Sequence, residues 1–445
     1  MKNIIITLLI TCLLSAQSSK KSTMTVYKDG TALVKQEIIW SNVPRGESVL
    51  KYKDIPISIH KDTPFININN AQVLSQRFVD KTFSSDDFFK SKEGNLVNVK
   101  PKNEKVINGQ LLEISNKIIT IQSKNGIRSF SKENIEYLES KDKISSPIFS
   151  PYLSWNIKAN KSGSVKGDLV YKLSNINWNT IYRLIINGQV KGELVAEAVI
   201  SNKSSKDFLN TSIQLVEGKL NTVKPSVSPR APSNMSISRS SAPTMEASSL
   251  GDYHIYDAGN INKLVSKESV TVRMYGPLNV DYEKIYVFEN SERQQKEEPL
   301  KVEITLSNTE AHGLGIPLPA GKIDMYTFSG AGGIEYIGSD QMGQVPKGES
   351  STIQAGYAFD IIGKRKVLNY DRQRKSEEAV IEISISNTRT DPVQVRIVEH
   401  INGDWVIKDQ SHNYQKEDAS TIHFPISLDP SKKEYITYTY RKEWK

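Results

Sequence analysis

Four carboxylates are the side chains best suited to acid–base chemistry in this sequence: Asp324, Asp340, Glu349 and Asp360. Two such groups on either side of a glycosidic bond can act as acid and base, or as acid and nucleophile. Acidic residues at strand ends also serve solubility and turn hydrogen bonding. We favour this second interpretation and assign no catalytic residue.

Two turns rich in glycine and proline, Gly313 to Gly321 and Gly356 to Asp360, interrupt otherwise regular strands. Loops held by a rigid scaffold often carry binding residues. Any concave ligand site is therefore expected first around these turns. The candidate ligand residues are Gly313, Gly315, Gly321, Glu349 and Asp360.

Other catalytic patterns are missing from the sequence. The six histidines have no HExxH spacing, and no serine stands in G-x-S-x-G. The glycines Gly330, Gly332 and Gly333 precede no helical pattern, so a tight hairpin explains them better than a phosphate loop. The sequence predicts neither a metal nor a cofactor, and it predicts a protein that is not an enzyme.

Basic residues outnumber acidic ones, and the formal net charge is +8. They cluster only at Lys364–Lys366 and in the residues Arg372, Arg374 and Lys375. This hairpin could contact anionic polysaccharide or lipid headgroups, but we favour a solvated strand edge that discourages aggregation. No aromatic-rich surface accompanies it, so nucleic acid is not a predicted partner.

The first sixteen residues have the pattern of a secretory signal peptide. Lys2 precedes an apolar run from Ile4 to Leu14, and Ala16 ends a small-residue cleavage site. An alternative is lipidation at Cys12, which is the only cysteine. No later apolar run is long enough to span a bilayer. The protein is expected to be exported, and to be periplasmic, outer-membrane-associated or extracellular.

Three segments repeat one design, in which an alternating strand reaches a Ser-Asn step, crosses a polar gap and returns as a second strand. They run from Leu194 to Val216, from Leu300 to Leu318 and from Ile381 to Ile397. A period of two buries one face of a sheet and exposes the other. The pattern predicts an all-β chain of immunoglobulin-like sandwiches, with Ile304 and Ile383 in the cores.

Turn residues and composition divide the chain further. Asn108-Gly109 and Asn125-Gly126 predict tight hairpins of a small SH3-like or Sm-like barrel, and Ser84 to Lys90 predicts one helical turn. The predicted divisions are a signal peptide (1–16), an N-terminal β domain (17–90), the small β-barrel (91–146), a first β-sandwich portion (147–221), a disordered Pro/Ser-rich linker (222–250) and a C-terminal β-sandwich region (251–445).

An ordered series of motifs follows residue 150. It comprises Trp178 with Tyr182-Arg183-Leu184, Ala196 to Asn202, Leu215 to Gly218, Leu314 to Gly321, Pro346 to Glu349 and Gly356 to Asp360. The series resembles the bacterial domain-of-unknown-function family forty-one thirty-nine, whose larger relatives are labelled mucoidy-inhibitor-like. Those relatives carry a long coiled-coil insertion, whereas a small-barrel stretch stands here. The resemblance implies an exported, β-rich envelope protein without established catalytic residues.

These observations lead to a non-catalytic, exported envelope protein that acts in scaffolding, assembly or adhesion. Its expected partner is another envelope protein or a surface polysaccharide. The alternative is a carbohydrate-binding or weakly hydrolytic envelope protein.

Overall fold

The computed structural model describes residues 14–15, 17–80, 82–144, 147–218, 247–250, 253–329 and 332–444. Strands make up most of this part of the chain. The helical elements described are α1 (Ser85–Lys90) and two 3-10 turns, Lys132–Asn134 and Glu310–His312. The predicted all-β class is confirmed.

The strands before residue 219 are mostly short to medium in length. They are Leu14–Ser15 (β1), Gln17–Tyr27 (β2), Thr31–Val43 (β3), Gly46–Tyr52 (β4), Phe65–Ile68 (β5), Ala71–Val79 (β6), Leu96–Pro101 (β7), Ile107–Ile114 (β8), Ile118–Ser123 (β9), Gly126–Ser131 (β10), Ile135–Glu139 (β11), Tyr152–Ala159 (β12), Gly163–Ser174 (β13), Ile176–Asn187 (β14), Lys191–Asn202 (β15) and Phe208–Glu217 (β16).

The strands after residue 246 include the two longest in the described chain. They are Ala247–Leu250 (β17), Tyr253–Leu264 (β18), Glu268–Ser291 (β19), Lys296–Ser307 (β20), Gly321–Phe328 (β21), Ile334–Met342 (β22), Ser350–Arg372 (β23), Ser376–Asn387 (β24), Val393–His400 (β25), Trp405–Gln410 (β26), Gln415–Lys416 (β27), Thr421–Leu428 (β28) and Lys433–Glu443 (β29).

Hydrogen bonding joins these strands into four sheets. Three have the orders β1-β4-β12-β6, β17-β18-β16-β2-β3-β13-β5 and β10-β9-β8-β7-β11. The fourth has thirteen strands, with the main path β22-β21-β14-β15-β19-β20-β23-β24-β29-β26 and with β25, β28 and β27 branching from β19. Stacked sheets with apolar inner faces agree with the sandwich type predicted from the repeats.

Buried side chains form three cores. The first is centred on Trp40, Trp155 and Trp178, the second contains Phe288 and Phe424, and the third is a small cluster in the β7–β11 sheet. Trp40 on β3 packs edge-on against Trp155 on β12, with ring centroids 5.7 Å apart. The segments 17–80 and 147–218 therefore share one core.

The β7–β11 sheet occupies the segment predicted to be a small barrel. The sheet is open, because β10 and β11 at its two ends share no ladder in the described chain. Strand β10 buries one side chain, Phe130. Burial of apolar surface on β10 therefore contributes little that would favour pairing of its free edge with β11. The preceding helical turn is confirmed as α1, whose N-cap Ser84 accepts a hydrogen bond from the Asp87 amide at 3.3 Å.

Three strands, β19, β20 and β23, run through both large cores, and β19 and β23 are the longest. Strand β19 has 24 residues and contributes Val280 and Tyr282 to the first core and Phe288 to the second. Strand β23 has 23 residues and contributes Ile353 to the first core and Ile361 to the second. One continuous sheet thus joins the two cores without a linker between them.

Two predicted segments lie largely outside the described residues. Of the predicted signal peptide, only Leu14–Ser15 is described, and it pairs with β4; Cys12 is outside. Of the predicted linker, only Ala247–Leu250 is described, and these residues form strand β17 against β18. Among the described residues, no helix is long and apolar enough to cross a membrane.

Candidate functional site

Each of the three Ser-Asn steps of the repeats contains a buried asparagine. These are Asn202, Asn308 and Asn387. Each side chain hydrogen-bonds to backbone groups of the loop that follows its strand. None of the three has a positive φ, so their local hydrogen bonding, and not left-handed backbone, is what they contribute here. Their common role is to tie a loop to a strand end through the side-chain amide.

Asn308 holds the candidate loop Gly313 to Gly321. Its Nδ2 donates to the carbonyl of Ile316 at 2.7 Å and to those of Val345 and Pro346 at 2.9 Å. Its Oδ1 accepts from the amides of Gly315 at 2.9 Å and Ile316 at 3.2 Å. One buried side chain therefore fixes the loop to the neighbouring segment around Val345.

The candidate glycines meet protein backbone at close range. A Cβ on Gly313, which has φ +79°, would lie 1.9 Å from the carbonyl oxygen of Asn279. A Cβ on Gly321 would lie 2.4 Å from the carbonyl oxygen of Thr180. Close approach of the chain to itself explains why glycine stands at these two positions.

A charged pair lies beneath the same loop. Lys28 Nζ is 2.7 Å from Glu217 Oε2 and 4.6 Å from the centre of the Trp178 ring. Glu217 Oε1 accepts a hydrogen bond of 2.7 Å from Gln344 Nε2, and Lys28 also donates to the carbonyl of Ala320. The loop is thus closed onto the first core by an ion pair and a cation–π contact.

The hydroxyl of Tyr182 also contacts the loop Gly313 to Gly321. It donates to the carbonyl of Pro319 at 2.7 Å, and burial raises the pKa of Tyr182 well above its ordinary value. The motif residues Trp178 and Tyr182, on which the family resemblance depends, therefore support the loop from below. In the described residues this loop is packed against the first core through these contacts.

The carboxylates Glu349 and Asp360 are separated along one strand. Glu349 immediately precedes β23 and Asp360 lies within it, and both are exposed. Eleven residues of extended chain correspond to on the order of 30 Å. A glycosidase pair needs roughly 5–10 Å between its carboxyl groups, so these two residues do not form one.

Asp324 and Asp340 are closer but face opposite ways. In the β21–β22 ladder Ile323 pairs with Asp340, and Asp324 pairs with Ser339. Because adjacent residues alternate between the faces of a sheet, the two carboxylates lie on opposite faces. Asp340 accepts from the Gln354 amide at 2.7 Å, and Asp324 pairs with Lys322 at 2.7 Å. The four predicted carboxylates are therefore not brought together.

The basic segment Lys364–Lys366 is not a strand edge. It lies inside β23, between β20 and β24. Lys364 and Lys366 are exposed or half-exposed and pair with Glu297 and Glu382, whereas Arg365 is fully buried. The solvated-edge interpretation is wrong at these residues, because alternation within a central strand turns the arginine into the core.

An aromatic surface lies on the outer face of the β21–β22 hairpin. Tyr326 and Tyr336 are cross-strand partners with ring centroids 5.7 Å apart, and Phe328 pairs with Ile334 beside them. Phe328, Ile334 and Tyr336 are each more than half exposed. We call these four residues the hairpin platform. Exposed apolar patches of this kind often mark interaction surfaces.

A polar cleft lies between the start of the chain and the loop before β16. It encloses about 690 Å³, in the usual range for ligand sites. Its lining combines two lysines, two aspartates and several amide and hydroxyl groups: Ser22, Gln36, Lys53, Asp54, Ile55, Ser150, Ser205, Lys206, Asp207, Phe208, Leu209 and Asn210. Sequence reasoning missed this site.

A chain of hydrogen bonds forms the floor of the cleft. Gln36 donates to the hydroxyl of Tyr52, which donates to Asp54 Oδ2 at 3.3 Å. Lys206 pairs with Asp54 and donates to its carbonyl at 2.8 Å. Burial lowers the pKa of Lys206, against the opposing effect of Asp54, and burial raises the pKa of Tyr52.

Several polar side chains at the mouth of the cleft are unpaired within the described residues. The side chains of Lys53, Ser150 and Asn210 have no hydrogen-bond or ion-pair partner within the part of the chain that the structure describes. Asp207, by contrast, accepts from the Ser266 amide at 2.8 Å. One ammonium, one hydroxyl and one amide group are thus left to face a ligand.

Comparisons with known proteins add no identity. No family model matches this chain, and neither does any curated protein. The resemblance described above therefore stays a prediction. No group of three or more histidine, cysteine, aspartate or glutamate side chains in the described ranges is arranged to hold a metal ion.

Proposed function

We propose that this protein is an exported, non-catalytic component of the cell envelope with a scaffold, assembly or adhesion role. The observation that carries the proposal is the thirteen-stranded sheet, whose strands β19 and β23 belong to both large cores. A sheet shared in this way fixes the distance and angle between the cores. Fixed spacing between two surfaces suits a scaffold.

The position of the charged groups supports the same function. Lys28 and Glu217 brace the loop Gly313 to Gly321, and Arg365 pairs with Glu399 inside the second core. These buried and half-buried charges are used for internal pairing. The hairpin platform, at one end of the large sheet, is the exposed surface best suited to contact a protein partner.

Fractionation and complementation in the native organism test this proposal. Wild-type protein is expected in the envelope fraction, and a deletion strain is expected to lose an adhesion or envelope-integrity phenotype that the wild-type gene restores. The double variant Phe328→Ser/Tyr336→Ser should restore it poorly, whereas Leu368→Ser, which changes an exposed apolar residue elsewhere on β23, should restore it fully. Retention in the cytoplasm, or turnover on a hydrolase panel, would contradict the proposal.

Carbohydrate binding is the second candidate function. The polar cleft favours it, since hydroxyl-rich ligands are recognised by converging amide, hydroxyl and charged groups beside apolar contacts. Weak hydrolysis is less well supported, because the predicted carboxylates face different ways or lie far apart.

A further inference from the structure

We infer that the polar cleft binds an acidic saccharide, meaning a hydroxyl-rich chain that carries carboxylate groups. The inference rests on the second proposed function and names its ligand class and site. Some polar side chains of the cleft already have hydrogen-bond or ion-pair partners, and others have none among the described residues.

The lining carries two lysines and two aspartates, so its formal charges cancel. The carboxylates already have partners, since Asp54 pairs with Lys206 and Asp207 accepts the amide of Ser266. Lys53 is the lining cation that has no partner among the described residues. A carboxylate on the ligand would complete a charge-assisted hydrogen bond with Lys53.

The neutral groups of the cleft match hydroxyls. Asn210 and Ser150 present a free amide and a free hydroxyl, so they can both donate and accept. Gln36 on the floor is nine-tenths buried, and its Nε2 is already used by Tyr52. A ligand with hydroxyls beside its carboxylates satisfies these groups, whereas a simple anion does not.

The rim of the cleft adds apolar contact. Leu209 lines it and is 56% exposed, and Ile55 and Phe208 are further apolar residues of the lining. Sugar rings present C–H groups on their faces and hydroxyls at their edges, so they suit a polar floor with apolar walls. The cleft is also much larger than one inorganic anion.

Titration calorimetry on the purified full chain tests the inference. The probes are tetragalacturonate as the acidic saccharide, maltotetraose as the neutral one, and acetate and inorganic phosphate as simple anions. Tetragalacturonate is expected to bind best, with affinity that falls as salt is added. The variants Lys53→Ala and Asn210→Gly should each weaken it by about tenfold, the value of one charged or well-placed hydrogen bond.

Lys161→Ala is the matched control, because Lys161 is exposed, lies in a turn away from the cleft and has no described partner. It should leave the affinity unchanged. Equal losses in Lys161→Ala and Lys53→Ala would show general attraction of a polyanion to a basic protein and overturn the inference. Equal binding of phosphate or acetate would overturn it too.

The neutral probe distinguishes specificity for acidic saccharides from carbohydrate binding in general. If maltotetraose binds as well as tetragalacturonate and Lys53→Ala changes nothing, the acidic specificity is wrong while carbohydrate binding stands. If neither saccharide binds, both the inference and the second candidate function fail. Because Lys53 and Asn210 are exposed, both variants should keep the wild-type unfolding curve.

Discussion

Arg365 on β23 and Glu399 on β25 form an ion pair in which neither side chain is exposed to solvent. Arg365 Nε lies 3.1 and 3.0 Å from the two carboxylate oxygens, and Nη2 lies 2.8 Å from Oε2. The hydroxyl of Tyr438 also donates to Glu399, and Arg365 donates to the carbonyl of Gln294. The second core is therefore built around a satisfied charge pair.

Breaking this pair should be far more costly than replacing it. Arg365→Met leaves an unpaired buried carboxylate, so the free energy of unfolding should fall by about 3–5 kcal/mol. The double variant Arg365→Met/Glu399→Leu should recover much of that loss, because it removes both buried charges. Urea melts of the two variants decide the matter, and equal stability of single and double variants would contradict it.

The repeats predict a sharp contrast between the two faces of a strand. Ile304 and Ile383 are fully buried, as expected from the sequence, so alanine at either should cost about 2–5 kcal/mol. Lys301 and Glu382 lie on the opposite faces, and alanine there should change stability by no more than about 0.5 kcal/mol. Chemical denaturation of the four variants measures both effects. Similar costs on both faces would count against the register.

Asn308→Ala should loosen the loop that the asparagine holds. The change leaves the carbonyl of Ile316 and the amides of Gly315 and Ile316 without their partner, at a cost of about 3 kcal/mol. Hydrogen exchange at these two amides should accelerate more than exchange in the β7–β11 sheet. Asn125→Ala, in an exposed hairpin turn, is the control; unchanged loop exchange in Asn308→Ala would refute the role.

Glu377 should make stability depend on acid pH. Burial acts to raise its pKa, but hydrogen bonds from Tyr370 and Arg293 outweigh burial and hold the pKa below its ordinary value of 4.5. A carboxyl whose pKa is lower in the folded state contributes stability above the unfolded pKa and loses it as pH falls through the folded one. The stability difference between wild type and Glu377→Gln should therefore shrink below about pH 4.5 in melts at stepped pH. A constant difference would argue against the pairing.

Local patterns predicted much of the fold, and particular residues show why. Asn125-Gly126 lies at a hairpin turn as expected, with Gly126 at φ +105°, and the same dipeptide at Asn187-Gly188 begins another, with Gly188 at φ +79°. Asn108-Gly109, with the same dipeptide, lies inside β8 instead. Gly109 is needed there because a Cβ would come 2.7 Å from the carbonyl oxygen of Gln122. Tertiary packing overrode the turn preference.

The polar cleft could not be predicted in the same way. Its residues come from four separated stretches: Ser22 to Gln36, Lys53 to Ile55, Ser150, and Ser205 to Asn210. They meet because β2 and β16 pair in parallel, with Ser22 opposite Thr211. No local period or spacing encodes that pairing. The separation of the four carboxylates was not predictable for the same reason, since strand register decides which face each one occupies.

The sharing of strands between the two large cores also limits how this protein can be divided. Strand β20 gives Ile304 and Leu306 to the first core and Leu300 and Val302 to the second. Dividing the chain anywhere between β19 and β23 would give two incomplete pieces, and each piece would lack part of its hydrophobic core. Neither core is then complete without the strands of the other, so neither is a unit that could be transferred alone into another protein.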